Sequence, residues 1–202
     1  MFGAFREEFG EGIGAAGDSD LTFVQSLEDR AKGIAGLLGS AGGATFRSGL
    51  YRLFAPGEME TWTNHVVATF PEYRGSIACF GYDWLGRVFA LDQRNDEEQW
   101  QILMIEPGAG EAMKIPASFA EFHNVELVEY AADALAEPFF EEWVASGGAA
   151  PRRLECVAYK VPLFLGGEDV IGNLEMSDME VYWHLCGELR RSIREGRNVA
   201  GG

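Results

Sequence analysis

Any chemistry in this chain must come from three histidines, three cysteines and a surplus of carboxylates. His65, His123 and His184 lie far apart, and none stands in HExxH or another metal-ligand spacing. They read as ordinary core or surface histidines unless the fold gathers them. His184 stands two residues before Cys186, and residues two apart on a helix point away from each other, which disfavours a thiol–imidazole pair. Cys79, Cys156 and Cys186 form neither a CxxC motif nor a disulfide framework. Gly10, Gly12 and Gly14 imitate a nucleotide loop, but no strand precedes them, and G-x-S-x-G and GxxxxGK[ST] are both missing. The acids Asp92, Asp96, Glu97 and Glu98 read as a solvated loop. No catalytic, metal or cofactor-binding residue is assigned, and the chain is expected not to be an enzyme. A deep pocket uniting a histidine with Asp83 would instead indicate a small hydrolase.

Two segments combine large aromatics with charge. In Cys79–Arg87, Tyr82, Asp83 and Trp84 crowd a turn. Either the aromatics cap the core while Asp83 bonds backbone amides, or they form a recognition ridge. In Tyr159–Asp169 an apolar run enters a tight turn; Lys160 is placed to pair with an acid, and Glu168 and Asp169 to address a basic partner.

Charge is the strongest bias. Acids number 32 and bases 16, for a net charge of −16. Residues 51–146 alone hold 17 acids and 5 bases, against 7 and 4 in residues 1–50 and 8 and 7 in residues 147–202. The densest stretch carries Glu121, Glu126, Glu129, Asp133, Glu137, Glu141 and Glu142, with no Lys or Arg between Ile115 and Gly147. Such a balance excludes a general nucleic-acid binder and suits a basic protein partner. The acidic stretch, with Tyr130, is the candidate contact face.

The elements that must position these residues follow from pattern. A chain of 202 residues, 47% hydrophobic, can bury one domain-sized core. No run of 18 apolar residues occurs, and Met1–Gly17 lacks the basic start and apolar stretch of a signal peptide, so a reducing cytoplasm is the expected location. Eleven glycines between Gly3 and Gly49 make residues 1–48 read as an appendage, with one possible helix over Ser19–Leu38 burying Phe23, Leu27, Ile34 and Leu38, and a flexible break over Gly39–Gly43. Pro56 opens a helix with Met59, Trp62, Val66 and Phe70 on one face, and Pro71 stops it. Ser76–Gly81 and Arg87–Leu91 read as a hairpin, Trp100–Ile105 as a central strand, and Glu111–Ile115 as its return. A short helical segment follows Pro116. Asp133 caps a helix to Ala145, Cys156–Pro162 is a late strand, and Ser177 and Glu180 make a capping box for the last helix. The expected class is α+β: a mainly antiparallel or mixed central sheet with flanking helices, a single domain over 49–195, the glycine-rich N-terminal appendage, and a flexible tail over 196–202.

Four blocks, Gly49–Thr63 (GLYRLFAPGEMETWT), Cys79–Asp92 (CFGYDWLGRVFALD), Glu106–Asn124 and Cys156–Leu189, taken in this order, resemble the C-terminal domain of type VI secretion immunity proteins that protect against DNase effectors. That domain commonly follows a so-called GAD-like domain, for which the fewer than fifty residues before the first block are too few. The resemblance implies a cytoplasmic α+β protein without catalysis or cofactor, whose partner is a cognate basic nuclease effector rather than nucleic acid or a membrane; it leaves the oligomeric state open. It also implies that Gly81–Arg87 and Lys160–Asp169 are family blocks, as scaffold or as contacts. A non-catalytic interaction domain without a toxin partner is the alternative.

Overall fold

The computed structural model describes residues 1–14, 20–94 and 98–200, the side chains of 197–200 aside. A six-stranded antiparallel sheet forms the centre, its strands neighbouring one another in sequence order. They are β1 (Thr45–Phe46), β2 (Tyr51–Leu53), β3 (Ile77–Asp83), β4 (Val88–Asp92), β5 (Gln101–Glu106) and β6 (Glu111–Ser118). β3 and β4 are buried along their whole lengths, so both faces of the sheet centre are covered. β6 is an edge strand and exposes Glu111, Met113 and Lys114, a charged edge that discourages further pairing. The register sets Tyr82 opposite Val88 and Ile102 opposite Ile115.

Helix α4 (Met59–Thr69) covers one side of β3. Pro56 begins the preceding turn, where its missing N–H costs nothing, and Met59, Trp62 and Val66 are buried at helical spacing. A second, two-stranded sheet pairs β7 (Glu155–Tyr159) with β8 (Leu174–Asp178) and leads into α9 (Met179–Ala200), which packs on α4. The fold is thus mixed helix and antiparallel sheet, as expected.

The glycine-rich start is more tightly integrated than an appendage. α1 (Gly3–Phe9), α2 (Thr22–Leu27) and α3 (Ile34–Ala41) bury Phe2, Phe5, Phe9, Val24, Ile34 and Leu38 in the same core as the sheet. The single helix expected over Ser19–Leu38 is two; Ser19 itself lies outside the described residues. Just before α2 Asp20 accepts from Thr22 N at 2.9 Å, and the Glu28 carboxylate accepts from Gly33 N and Ala35 N at 2.7 and 3.0 Å, starting α3 afresh. The break resets the helical phase, so Phe23 is 45% exposed while Val24 is buried. Gly42 is a point of close approach rather than a flexible break: a Cβ there would meet Leu38 O at 2.5 Å and Pro56 Cδ at 2.8 Å.

Two other elements depart from expectation. The helix expected from Asp133 to Ala145 is split into α7 (Ala131–Ala134) and α8 (Glu137–Ala145), because Pro138 cannot continue an incoming helix and instead occupies the first turn of the next. Ala136, at φ 50°, takes the left-handed conformation that joins them. Asp178, not Ser177, caps α9: its Oδ1 accepts from Val181 N at 3.0 Å, while the Ser177 hydroxyl donates to Asp178 O. A capping box does form at Ser118 and Glu121, before α5 (Phe119–Glu121). A π-turn over Phe122–Glu126 and the short α6 (Leu127–Glu129) then lead to α7. The last helix runs to Ala200, so residues 196–200 of the expected tail are helical.

Candidate functional site

The aromatic turn is interior. Tyr82, Asp83 and Trp84 are all buried. Asp83 Oδ1 accepts from Leu85 N and Arg87 N, each at 3.0 Å, and Oδ2 accepts from Arg87 Nε at 2.5 Å. Burial pushes the Asp83 carboxyl up, against the pull of the Arg87 guanidinium. The Tyr82 hydroxyl accepts from Leu154 N at 2.9 Å, and its ring stacks on Phe54. Trp84 Nε1 donates to Leu135 O at 2.9 Å and its ring meets Phe139 and Phe140. Tyr82 thus ties β3 to the chain just before β7, Trp84 ties the turn to α8, and Asp83 closes the turn on itself. In the folded chain they offer no surface to a partner, so the turn is the core cap and not the recognition ridge.

Among the described residues, His123 stays apart from the other two histidines, and all three from Asp83. His123 lies in the core, ringed by Phe2, Phe5, Phe80, Phe119 and Phe122. Its Nδ1–H donates to Phe119 O at 2.8 Å and its Nε2 accepts from the Tyr51 hydroxyl at 3.0 Å. His65 and His184 share only a cleft of about 80 Å³ between α4 and α9. Asp83 is enclosed with Arg87, so the hydrolase grouping of a histidine with Asp83 is not formed. Among the described residues no group of three or more His, Cys, Asp or Glu could hold a metal ion. Burial pushes the Cys79 and Cys186 thiols up to about 12, which leaves them un-ionised at neutral pH. Asp96 and Glu97 of the acidic loop lie outside the described residues. Among the described residues Lys160 pairs with no acid; its Nζ donates to Gly172 O at 2.9 Å. Asp169 accepts from the Tyr159 hydroxyl at 2.7 Å, while Glu168 is exposed beside it.

The acidic stretch, like Glu168 and Asp169, lies largely on the surface. Glu121, Glu129, Asp133, Glu141 and Glu142 are exposed, Glu126 and Glu137 half-buried, and Tyr130 is 49% exposed. The Ser118 hydroxyl and amide hold the Glu121 carboxyl below the usual carboxylate range. Glu137 pairs with Arg47, which also meets Glu8 at 3.6 Å. Among the described residues no base pairs with Glu126, Glu129, Asp133, Glu141 or Glu142. Carboxylates left without counter-charge over this length hold a negative field at the surface.

Beside this face lies a groove of about 690 Å³. Phe140, Val144 and Ala145 of α8 form one wall, and Leu50 and Ala150 complete the apolar lining. Glu137, Glu141 and Val144 fall on one stripe of α8 by helical spacing, so the groove rim is acidic. Arg47 and Ser48, in left-handed backbone at φ 45° and 55°, close the other side. Val144, Leu50 and Arg47 had not been singled out as site residues. The i+7 relation of Val144 to Glu137 was readable; the approach of the Arg47 turn, ninety residues away in sequence, left no local signal.

Residues 117–190 match the family described as T6SS immunity protein Tdi1, C-terminal. The matched segment contains the whole acidic stretch. The fold is similar to that of a solved structure titled "Crystal structure of Atu4351 from Agrobacterium tumefaciens", with a TM-score of 0.67 at 14% identity, covering 93% of this chain and 88% of that one. At that identity the likeness concerns the fold alone. No curated protein matches the chain.

Proposed function

We propose that this chain, with a Tdi1-like immunity segment over residues 117–190, binds and neutralises the cognate effector of a type VI secretion system in the cytoplasm. The effector is a basic nuclease, a DNase. The chain acts by occluding its DNA-binding or catalytic surface and catalyses nothing itself.

The observation that carries this reading is the acidic run from Glu121 to Glu142 inside the matched segment, in which Glu121, Glu129, Asp133, Glu141 and Glu142 are exposed and pair with no base among the described residues. A nuclease must present positive charge to phosphates. A negative surface steers onto that charge, speeds encounter and rejects neutral or acidic partners. Glu129, Asp133, Glu141 and Glu142 are exposed. Replacing all four with Ser therefore removes charge without opening the core. The variant associates with the effector more slowly than the wild type, and its association rate depends less on salt. Association kinetics that are unchanged at every salt concentration rule out this face.

A further inference from the structure

We infer that the groove between α8 and the Arg47–Leu50 turn is the seat of an apolar anchor on a basic, amphipathic helical segment of the partner, and that the acidic face around it holds the flanking lysines or arginines. This rests on the proposed immunity reading and names the partner chemistry at its surface.

Three observations carry it. First, Val144 is 46% exposed on the groove wall although Phe140, one turn earlier, is buried. The groove floor is thus continuous with the core, and its mouth leaves apolar surface facing water, a surface that gains by being covered. Second, the rim is negative. Glu137 shares Arg47 with Glu8, while Glu141 and, one residue on, Glu142 have no base among the described residues. A purely apolar occupant would leave those carboxylates to be desolvated without a partner, which is costly. An occupant with cations beside its apolar stripe satisfies both. Third, the backbone is held in uncommon conformations on both sides. Arg47, Ser48 and Ala136 are three of the four non-glycine residues at positive φ among the described residues. Such conformations persist where the surrounding structure over-determines them and gather at binding clamps. The Arg47–Glu137 pair fastens the two segments together across the groove.

The charge also selects among occupants. A second copy of this chain would bring another net charge of −16 to an already acidic rim, so self-association through this face is opposed. Helix-in-groove recognition by anchors at i, i+3, i+4 and i+7 is the mode that fits an open trough along a helix.

The test uses three synthetic helical peptides and the full chain with labelled methyl groups. One peptide has leucines at i, i+3, i+4 and i+7 with lysines elsewhere. In the second, serines replace the leucines; in the third, glutamines replace the lysines. The first peptide is expected to shift the methyl signals of Leu50, Val144 and Ala145 and to bind about tenfold or more tightly than either control. Val144→Lys removes that advantage; should it fold poorly, Glu141→Lys, at an exposed rim position, serves in its place. Equal binding by the serine peptide reduces the site to charge alone, equal binding by the glutamine peptide makes it merely apolar, and shifts mapping elsewhere displace it; each overturns the inference. Sedimentation of the wild type as a dimer that Val144→Lys disperses assigns the groove to a second copy and does the same. Co-expression with the cognate effector separates this inference from the reading beneath it. Protection by the wild type and its loss in Val144→Lys support the groove. Equal protection by both overturns the groove and leaves the immunity reading standing. No protection by the wild type removes the immunity reading itself.

Discussion

His123→Phe changes the acid sensitivity of the fold in a direction and by an amount that the structure specifies. In the native state the imidazole is buried among aromatic rings, and burial pushes its pKa down to about 4 from the ordinary 6.5. Its two ring nitrogens are already committed, Nδ1–H to Phe119 O and Nε2 to the Tyr51 hydroxyl. A second ring proton, on Nε2, would reverse the Tyr51 bond and turn the hydroxyl's own hydrogen into the aromatic core. In the unfolded chain the histidine titrates normally. Above pH 6.5 neither state holds the extra proton, and the buried neutral ring contributes its full stability. As pH falls from 6.5 toward 4 the unfolded state takes up the proton and the native state does not, so stability is lost over that window. At about 1.4 kcal/mol per pKa unit the loss totals about 3 kcal/mol. His123→Phe does not titrate, but it orphans the Tyr51 hydroxyl, which costs about 1–3 kcal/mol at neutral pH. Glu106, pushed up to about 6 by burial, works in the opposite sense, stabilising at low pH and losing that contribution as pH rises through 6. Both proteins carry it, so it cancels in their difference. Urea unfolding followed by tryptophan fluorescence at several pH values between 7 and 4.5 measures that difference. The wild type leads at pH 7, and its lead shrinks or reverses by about 3 kcal/mol toward pH 4. A gap that stays constant with pH refutes the buried neutral histidine.

Phe5→Ala tests the integration of the N-terminal region. Phe5 is fully buried against Phe9, Phe46, Tyr51 and His123, so its truncation lowers the unfolding free energy by about 3–5 kcal/mol; a change under about 0.5 kcal/mol, as at an ordinary surface site, returns the region to a true appendage. Asp178→Ala lowers stability by about 1 kcal/mol through loss of the α9 cap, while Ser177→Ala does not; thermal melts showing the reverse order restore the serine as the cap.

The sheet was legible because its hairpins are local. Ile77–Asp83 and Val88–Asp92 announce themselves as two apolar runs around a glycine-containing turn, and Pro56 and Pro71 bracket α4. The helices around the candidate site were harder to read. Hydrophobic spacing carried Asp133–Ala145 straight through Pro138, and the chain resolved that conflict with a left-handed Ala136. In the first fifty residues glycine content suggested looseness, whereas Gly42 is there to let the backbone pack against Pro56. Tyr82 and Trp84 show the limit for function. Aromatics at a turn serve a core or an interface equally well, and only burial separates the two. The acids between Glu121 and Glu142 were readable from composition alone, because no base interrupts them. Their partner groove was not, since it needs Arg47 and Leu50 brought from far along the chain.

The most direct test of the immunity reading is recovery of the tagged chain from its native bacterium at low and at moderate salt, with mass spectrometry of whatever stays bound. A single stoichiometric basic protein with nuclease motifs, held more weakly as salt rises and unable to cut DNA while bound, is the predicted result. A chain that emerges without a stoichiometric partner at either salt, or whose partner cuts DNA as fast in the complex as when free, contradicts it.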